Sequence, residues 1–591
     1  MTVTTISSAS NRVPKVPLFV LAGAIAIGLV LMLPLDGYTV SIIMQAATYA
    51  IAVLGLTVVL GYAGQITLAQ AAFFGLGAYS LALGTLDLGL SFWVALALAV
   101  VVSGAFGAIL GLTSVRLGGH YLAMVTISFQ QIVTLVLTNW ISLTRGPDGI
   151  AGIGRPSILG RELTSNVDYL IFSIVVLTLV IISVWKLKSS RLGRRMEAMR
   201  DNEIAASVTG VNVYLTKVIS FTICAVLGGL GGALFASGFS YISPDQFSFA
   251  ESIVFLTMAL LGGVHSVIGT ALGTLLLVLL PEMLRFLRDI YLAVYGLAVI
   301  LIMIFMPDGI WGFVTLLSDK LFHRIAARRA SAPLKLAKNE TPSSAPVLEV
   351  ETLSKHFGGV KALDNMGMTV SANEIHALIG PNGSGKTTLV NVLTGLYKPT
   401  SGNIRFNGET ITGMAPHALA ARGLARTFQN IRLFRSMTCL ENVILGAQRP
   451  GNDLTPDGGN AEARALAALA FVDLLDRADD LVGDLPYGHQ RKVEIARALA
   501  ASPRLLLLDE PAAGLNSTEK QQLVELLQRM KALGLTILVI EHDMPLVEQV
   551  ADHITVLNFG ERIANGTPAM VLRDQLVINA YLGETHVHAA T

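Results

Sequence analysis

The sequence has few charged residues and very few cysteines. Only 14% of its 591 residues are Asp, Glu, Lys or Arg, where soluble globular chains carry about 25%. This excludes a mainly disordered chain and a coiled coil, since both need many charges. The net charge of +1 indicates no nucleic-acid partner, because such a domain needs a basic excess. Two distant cysteines, Cys224 and Cys439, exclude a disulfide framework or a zinc site of clustered thiolates.

Hydrophobic residues make up 53% of the chain and concentrate before residue 310. Arg12 and Lys15 precede the first apolar run as in a signal peptide, but no small-residue cleavage site follows, which favours an uncleaved span. The eighth and ninth runs are short and could instead be re-entrant or broken, so we expect eight to ten spans. The predicted spans are 17–35, 39–60, 67–84, 91–113, 120–138, 168–186, 217–239, 249–264, 265–281 and 290–306.

Lysines and arginines in the short loops predict the orientation of these spans. The loop between spans six and seven carries six of them and should be cytoplasmic, which places the N-terminus and the tail after the last span on the same side. The exception is the loop with Arg285 and Arg288, which comes out external. We therefore predict a cytoplasmic N-terminal tail (1–16), a transmembrane domain (17–320), a linker rich in Pro, Ser, Ala and Lys (321–346) and a soluble domain (347–591).

Glycines and polar residues interrupt the apolar runs. Gly228 and Gly232 have the spacing that lets helices pack closely, with a broken helix at a substrate site as the alternative. Polar side chains in spans usually form interhelical hydrogen bonds, and contact with a substrate is the alternative. The polar residues concerned are Gln65, Gln70, Gln130, Gln131 and Glu251.

A phosphate-binding loop is predicted in the soluble domain. The run GPNGSGKTT fits G-x-x-x-x-G-K-[ST] and follows a strand-like run, IHALI. Its glycines allow backbone N–H groups to surround phosphates at a helix N-terminus. Lys386 should bridge the β- and γ-phosphates of ATP, and the Thr387 hydroxyl should hold Mg²⁺. The predicted loop residues are Gly380, Pro381, Asn382, Gly383, Ser384, Gly385, Lys386, Thr387 and Thr388.

Two acids follow a second buried strand, RLLLLDE. Ligands of open α/β sheets bind at the carboxyl ends of the strands. Asp509 is therefore predicted to hold Mg²⁺, and Glu510 to orient or deprotonate the attacking water. The alternative, a solvated strand end, is disfavoured because the phosphate loop and the acid pair occur in the expected order.

The soluble domain resembles the nucleotide-binding domain of ABC transporters, an α/β P-loop NTPase. The resemblance implies that Phe357 stacks on adenine, and that Gln429, in RTFQN, senses Mg²⁺ and touches the membrane domain. It implies that His542, in IEHDM, contacts the γ-phosphate, and it matches AGLN, Ala513 to Asn516, to the D-loop.

The signature motif departs from the family pattern. Where the family has L-S-G-G-Q, this chain has Leu485, Pro486, Tyr487 and Gly488, followed by His489. Proline has neither a hydroxyl nor an N–H for the phosphate across the dimer, while Gly488 and the helix N-terminus remain. We therefore hypothesise that the composite site containing this signature hydrolyses ATP more slowly than its pair.

The first 310 residues resemble the permease of branched-chain amino acid ABC importers. The matching runs are GYAGQITLAQAAFFGLGAYS, LTRGPDGIAG, SRLGRRMEAMRDNEIAASVTG and ISPDQFSFAESI. Permease and ATPase are usually separate chains, and here they look fused. AASVTG, Ala205 to Gly210, fits the importer coupling loop, although Glu203 stands one place off the family position, where Ile204 lies. We expect a short helix there to dock beside Gln429; a basic loop that only sets topology is the alternative.

The resemblance implies ATP-driven import of branched-chain amino acids or a related small polar solute across the bacterial inner membrane. The implied partners are a second permease and a second ATPase, or a second copy of this chain, together with a periplasmic binding protein and membrane lipid. The sequence leaves two alternatives open. One is a homodimeric exporter, which would have about six longer spans, and the other is a membrane-tethered ATPase that moves no solute.

Overall fold

The computed structural model describes residues 15–32, 34, 36–114, 118–158, 160–284, 294, 296–297, 300–301, 304–306, 309–313, 333–334, 346–449 and 460–582. The chain forms two compact units. One comprises residues 1–196 and 214–324, and the other comprises residues 197–213 and 325–591. The loop predicted to be cytoplasmic is thus divided, because its residues 197–213 pack with the soluble part of the chain.

The first unit, called here the membrane unit, is built from apolar helices. Within the described residues, five are long and apolar enough to cross a membrane: Gly37–Tyr62, Phe92–Thr113, His120–Asn139, Asn166–Ser189 and Val213–Phe239. Shorter apolar helices are Leu18–Met32, Gln70–Leu86, Phe249–Gly262 and Val267–Met283. The predicted eighth and ninth spans are therefore two separate short helices, and most of the tenth, 290–306, lies outside the described residues.

Short strand pairs, turns and helices complete the described part of the membrane unit. Strand Ile150–Ala151 pairs antiparallel with Tyr241–Ile242, and Ser157–Ile158 pairs with Arg161–Glu162. Further helical elements are Ile141–Thr144, the 3₁₀ turns Gly146–Asp148 and Pro244–Phe247, and Arg191–Asp201, which leads out of the unit.

A helix break in the membrane unit lies at the predicted boundary between the second and third spans, 39–60 and 67–84. Helix Gly37–Leu56 continues as a π-helix, Thr57–Tyr62, and the chain is not helical again until Gln70. Irregular backbone beside membrane spans must find hydrogen bonds within the protein. Side chains supply them here: Ser252 Oγ accepts from the Ala71 N–H at 3.0 Å, and Gln130 Oε1 accepts from the Ala72 N–H at 2.6 Å.

The glycine-rich run at 228–232 serves close packing. Helix Val213–Phe239 is continuous through it. A Cβ added to Gly232 would collide with the carbonyl of Phe74, and one added to Gly228 would lie 2.9 Å from Cβ of Phe73. The packing interpretation is confirmed, and the alternative of a broken helix at these glycines was wrong.

The second unit, called here the ATPase unit, contains two sheets. Its strands are β1 (Pro346–Phe357), β2 (Val360–Ser371), β3 (Ile375–Ile379), β4 (Ser401–Phe406), β5 (Glu409–Thr410), β6 (Leu424–Arg426), β7 (Leu505–Asp509), β8 (Thr536–Ile540), β9 (His553–Asn558) and β10 (Glu561–Gly566). A six-stranded sheet has the order β6-β7-β8-β3-β9-β10, and all its neighbours are parallel except β9 and β10. An antiparallel sheet has the order β2-β1-β4-β5.

Helices flank the parallel sheet and bury its strands. Every residue of β3, β7 and β8 is buried, as expected for parallel strands covered on both faces. The helices are Glu203–Val208, Lys386–Leu393, Pro416–Arg422, Cys439–Ala447, Ala461–Phe471, Tyr487–Ala500, Ser517–Ala532, Met544–Val550, Pro568–Val571 and Gln575–Leu582. Since the strands are parallel, the carboxyl ends of β3 and β7 lie at one edge, which brings the phosphate loop and the acid pair together.

Candidate nucleotide site and its link to the loop helix

The phosphate loop runs from the end of β3 into helix Lys386–Leu393. Gly380, Gly383 and Gly385 have φ of 154°, 81° and 105°, a region that side chains other than glycine rarely enter. A Cβ on Gly385 would lie 2.5 Å from the Ala362 carbonyl, whereas Gly383 has open space around it. The loop therefore fits a phosphate chain, because its backbone can be approached closely at Gly383 and it opens at a helix N-terminus.

Lys386 is folded over this loop. Its Nζ donates to the carbonyls of Gly380 at 2.7 Å and Pro381 at 2.9 Å. Burial lowers the pKa of its ammonium group, while Glu510 and Asp509 oppose that shift. Thr387 follows with an exposed side chain, and Thr388 is half-buried. The cation thus lies among both predicted acids and the loop carbonyls, as a lysine that recognises phosphate requires.

Asp509 is buried at the carboxyl end of β7 and is paired with an arginine. The Nη2 group of Arg426, at the end of β6, donates to Asp509 Oδ2 at 2.9 Å. Arg426 Nη1 donates to Asn391 Oδ1 at 2.8 Å and Thr394 Oγ1 at 3.0 Å, at the end of the helix that follows the phosphate loop. Arg426 therefore joins the acid strand to that helix. Sequence reasoning had not identified it.

Glu510, Gln429 and His542 converge. Gln429 Nε2 donates to Glu510 Oε2 at 2.9 Å, and His542 Nδ1 lies 3.8 Å from the same oxygen. Glu510 has a φ of 45°, and its N–H donates to the Ile540 carbonyl at 2.9 Å. A left-handed conformation is uncommon outside glycine, so the backbone after β7 turns the carboxylate towards Gln429. His542 is exposed and Glu510 is partly so, which leaves the group open to water.

Phe357 lies apart from these acids at the end of β1. Its ring is exposed and meets Tyr397 edge-on, with ring centroids 5.3 Å apart, and Lys355 Nζ lies 4.8 Å from its centroid. The predicted adenine contact at Phe357 is therefore part of a pair of aromatic rings, Phe357 and Tyr397, rather than a single ring. Tyr397 was not predicted, although it follows the phosphate-loop helix closely in sequence.

The signature residues are placed elsewhere on the ATPase unit. Pro486 precedes helix Tyr487–Ala500 as its N-cap, Leu485 is buried and Tyr487 is exposed. In the described part of this unit, no hydrogen bond or ion pair joins Leu485–Gly488 to the phosphate loop.

A buried ion network connects the signature helix to the glutamine segment. Arg491 Nη1 donates to the Phe428 carbonyl at 2.7 Å, and its Nη2 donates to the Gln429 carbonyl at 2.9 Å. Arg491 also pairs with Glu494 at 2.8 Å, and both side chains are almost fully buried. Sequence reasoning missed both residues, although charges inside an apolar-faced helix were a signal that could have identified them.

Glu541 supports the turn after the acid pair. It directly precedes His542, and its Oε1 accepts from the Ala512 N–H at 2.8 Å. Burial raises the pKa of the Glu541 carboxyl, and the hydrogen bond from Ala512 opposes that shift. This acid had not been predicted as a functional residue.

Residues 197–213 dock beside Gln429, as expected. Asn202 caps helix Glu203–Val208, accepting from the Ala205 N–H at 2.9 Å. Asp201 Oδ2 accepts from Ser436 N–H at 2.9 Å and from its hydroxyl at 2.7 Å. A shared apolar cluster comprises Ala198, Ala205, Ala206, Val208, Val211, Phe428, Phe434, Met437 and Leu445. The loop helix therefore rests on the segment that contains Gln429, and the prediction of docking is confirmed.

Segments of both units match families of known proteins. Residues 38–306 match the family described as the permease component of the branched-chain amino acid transport system. Residues 363–513 match the ABC transporter family, and residues 561–587 match the branched-chain amino acid ATP-binding cassette transporter.

Curated relatives divide in the same way. The ATP-binding protein BraF of Pseudomonas aeruginosa is 44% identical over 253 residues, which cover 41% of this chain and 99% of BraF. This chain belongs to the branched-chain amino acid ABC transporter family. LivG of Escherichia coli is 43% identical with the same coverage. The permease LivM of Salmonella typhimurium is 36% identical over 295 residues, 46% of this chain and 69% of LivM.

Membership of this family confirms several predictions. The chain is a multi-pass membrane permease fused to a nucleotide-binding ABC ATPase, and it hydrolyses ATP in a transporter with partner subunits. The fusion joins in one chain two functions that BraF and LivM carry separately.

Proposed function

We propose that this protein imports branched-chain amino acids, or a related small polar solute, using ATP. The observation that carries this proposal is the presence of a LivM-like permease and a BraF-like ATPase in one chain. Both relatives are named for high-affinity branched-chain amino acid transport. We place the chain in the bacterial inner membrane with its N-terminus and ATPase unit in the cytoplasm, since the basic loops favour that side.

The proposed domains are the tail 1–16, the permease 17–320, the linker 321–346 and the nucleotide-binding domain 347–591. The docking of residues 197–213 supports a mechanical role for that loop, because the ATPase unit contacts it next to Gln429. We propose that closure of two ATPase units on ATP moves the permeases through this loop helix. A binding protein outside the membrane would deliver the solute, and lipid would surround the spans.

Within the nucleotide site, Glu510 is the proposed base that orients the attacking water. Gln429 donates a hydrogen bond to the Glu510 carboxylate, and His542 lies near it. Both side chains would respond to whether nucleotide is bound in the site. Lys386 and the loop Gly380–Thr388 would hold the phosphates, and Phe357 would stack on adenine. Leu485, Pro486, Tyr487 and Gly488 would face the nucleotide of the other ATPase.

The residues also fit a Mg²⁺ ion. Thr387 presents an exposed hydroxyl, and Asp509 and Gln429 supply oxygens at the same edge of the sheet, which are ligands that Mg²⁺ prefers. When bound, the ion would neutralise charge on the phosphates. Arg426 holds Asp509 through the Oδ2 atom, and no hydrogen bond to Asp509 Oδ1 is found in the part of the chain that the structure describes, so Oδ1 could face the ion.

The signature site is testable on its own. Pro486 occupies the N-cap and offers no side-chain cap. A serine there would supply a hydroxyl to the phosphate or to its own helix. We expect Pro486→Ser to raise the ATPase rate of the assembled transporter, and no gain would contradict the slow-site hypothesis.

The decisive experiment is purification from native membranes followed by transport in proteoliposomes. We expect a second permease and ATPase, or a second copy, and ATP-dependent leucine uptake that requires an external binding protein. Lys386→Ala should weaken nucleotide binding itself, whereas Glu510→Gln should bind ATP and stop uptake. ATP-driven movement of solute only towards the binding-protein side would overturn import.

A further inference from the structure

One spanning helix of the membrane unit is both the least apolar and the least buried. Helix His120–Asn139 has the lowest mean hydropathy of the five long spans, and only 28% of it is buried, compared with 83% of Gly37–Tyr62. A helix with so little of its surface buried should be strongly apolar if it faces lipid, because lipid cannot hydrogen-bond to polar side chains. We therefore expect the exposed face of this helix to contact something other than the hydrocarbon of lipid.

The polar residues on that face are central as well as terminal. Gln131 is exposed, is the twelfth of the helix's 20 residues, and makes no hydrogen bond within the described residues of the unit. Ser128 and Asn139 are exposed too, and each donates back to its own helix, to the carbonyls of Met124 and Leu135. Transfer of an unpaired amide from water into hydrocarbon is unfavourable, so Gln131 alone disfavours a lipid-facing position.

Two other helices of the membrane unit show what a lipid-facing surface looks like. Every exposed residue in Leu18–Met32 and from Phe92 to Leu112 is apolar, and Val101 is 66% exposed. The inward side of the polar helix is fully satisfied, since Gln130 bonds to Ala72, Ser252 and Phe247. The polarity of Gln131 is thus not needed for packing within the unit.

We propose that this face, formed by Met124, Ser128, Gln131, Leu135 and Asn139, is where the membrane unit of a second permease subunit packs. These positions are spaced by three or four residues and so lie on one side of the helix. They border a shallow groove lined by Ile132, Leu135, Val136, Asn139 and Trp140, which offers space for side chains of a partner helix.

A second permease is the occupant that these observations favour. A polar face in the middle of a span needs a polar partner at the same depth, and a related permease can present the same stripe. Glutamine and asparagine side chains that bond across helices hold membrane helices together. This inference rests on the proposed assembly of two permeases, and it adds which surface joins them.

Photo-crosslinking in native membranes tests the surface. A benzoylphenylalanine is placed at Gln131, at Leu135 and, as a matched control, at Val101 on the exposed apolar face. We expect adducts from Gln131 and Leu135 with a permease chain, identified by mass spectrometry as this chain or a related permease, in severalfold higher yield than from Val101. A yield of permease adducts at Val101 that equals or exceeds the yield at Gln131 and Leu135 would overturn the proposed surface.

Failure of the assembly is distinguishable from failure of the surface. If the full chain purifies without a second permease or a second copy, the proposed assembly itself is wrong. If a second permease copurifies but crosslinks only at other positions, the surface alone is wrong.

Substitution adds an independent measurement. Gln131→Leu should lower the share of complex that survives purification, while Gln131→Asn should largely restore it because the amide is kept. A Gln131→Leu complex as stable as the wild type, with unchanged crosslinking at Leu135, would show that the amide does not contribute to pairing.

Discussion

The membrane unit and the ATPase unit satisfy their buried polar groups in different ways. At the helix break of the membrane unit the groups are neutral: Gln130 bonds two backbone groups and Ser252, and Gln70 accepts from the Cys224 thiol. In the ATPase unit they are charged, with Arg426 on Asp509 and Arg491 on Glu494. Both units bury polar side chains to hold a loop or break in place.

The difference follows from the surroundings of each unit. A charge within a span has no water nearby, so neutral amides and hydroxyls are the less costly way to fix irregular backbone. In the ATPase unit, buried ion pairs tie separate elements together at the cost of desolvation. The charged pairs should therefore be the more sensitive of the two to loss of one partner.

Removing the charge of Glu510 should have the largest effect. Glu510→Gln lacks the proposed base, so ATP turnover should fall by about 10²-fold or more, while nucleotide binding and the membrane unit remain intact. Phosphate release and binding of a fluorescent ATP analogue measure the two effects. Glu525→Gln is the control, because Glu525 is an exposed acid on helix Ser517–Ala532. Wild-type turnover in Glu510→Gln would refute the role.

Breaking the buried pair of Arg426 should come next. Arg426→Met leaves Asp509 buried without its partner, which costs about 3–5 kcal/mol of folding free energy. Thermal unfolding of the full chain in detergent measures the loss, and Arg426→Lys should recover part of it. Arg422→Met is the control, since Arg422 makes an exposed pair with Glu409 worth about 0–1 kcal/mol. An equal loss of folding free energy in Arg426→Met and Arg422→Met would show that the buried ion pair contributes no more than the exposed one.

Loss of the neutral amide of Gln130 should be milder. Gln130→Leu leaves the Ala72 N–H without its acceptor, which costs about 1–3 kcal/mol. The same unfolding measurement applies, with Ser183→Ala as a control, because Ser183 is exposed and, among the described residues, its side chain bonds only to the Leu179 carbonyl. If Gln130→Leu were more damaging than Arg426→Met, the ranking of charged over neutral groups would be wrong.

The smallest effect concerns pH. Burial raises the pKa of Glu541 above its usual 4.5. Its contribution to stability is therefore fully present below pH about 4.5 and is lost as pH rises through the folded-state pKa. Glu541→Gln should remove that decline, seen as a flatter dependence of Tm on pH above about 4.5. If Glu541→Gln left the slope of Tm against pH unchanged, other groups would be the cause of the decline in stability.

The chemistry of the nucleotide site was predictable from local stretches of the chain. Glycine spacing, a lysine and two acids after a leucine strand predicted the site, and parallel strands then brought Lys386 among Asp509 and Glu510. Long apolar runs likewise determined the spans, because crossing hydrocarbon requires about 20 apolar residues. Both are local properties that a single stretch of sequence carries.

The partners of these residues are set by the three-dimensional fold. The Tyr62–Gln70 break depends on Gln130 and Ser252, which are 58 and 181 residues away from their backbone partners. Arg426 is 83 residues from Asp509, and residues 197–213 join a unit that otherwise begins at 325. Such pairings have no local signal, since a hydrogen bond or ion pair depends on distance in space rather than along the chain.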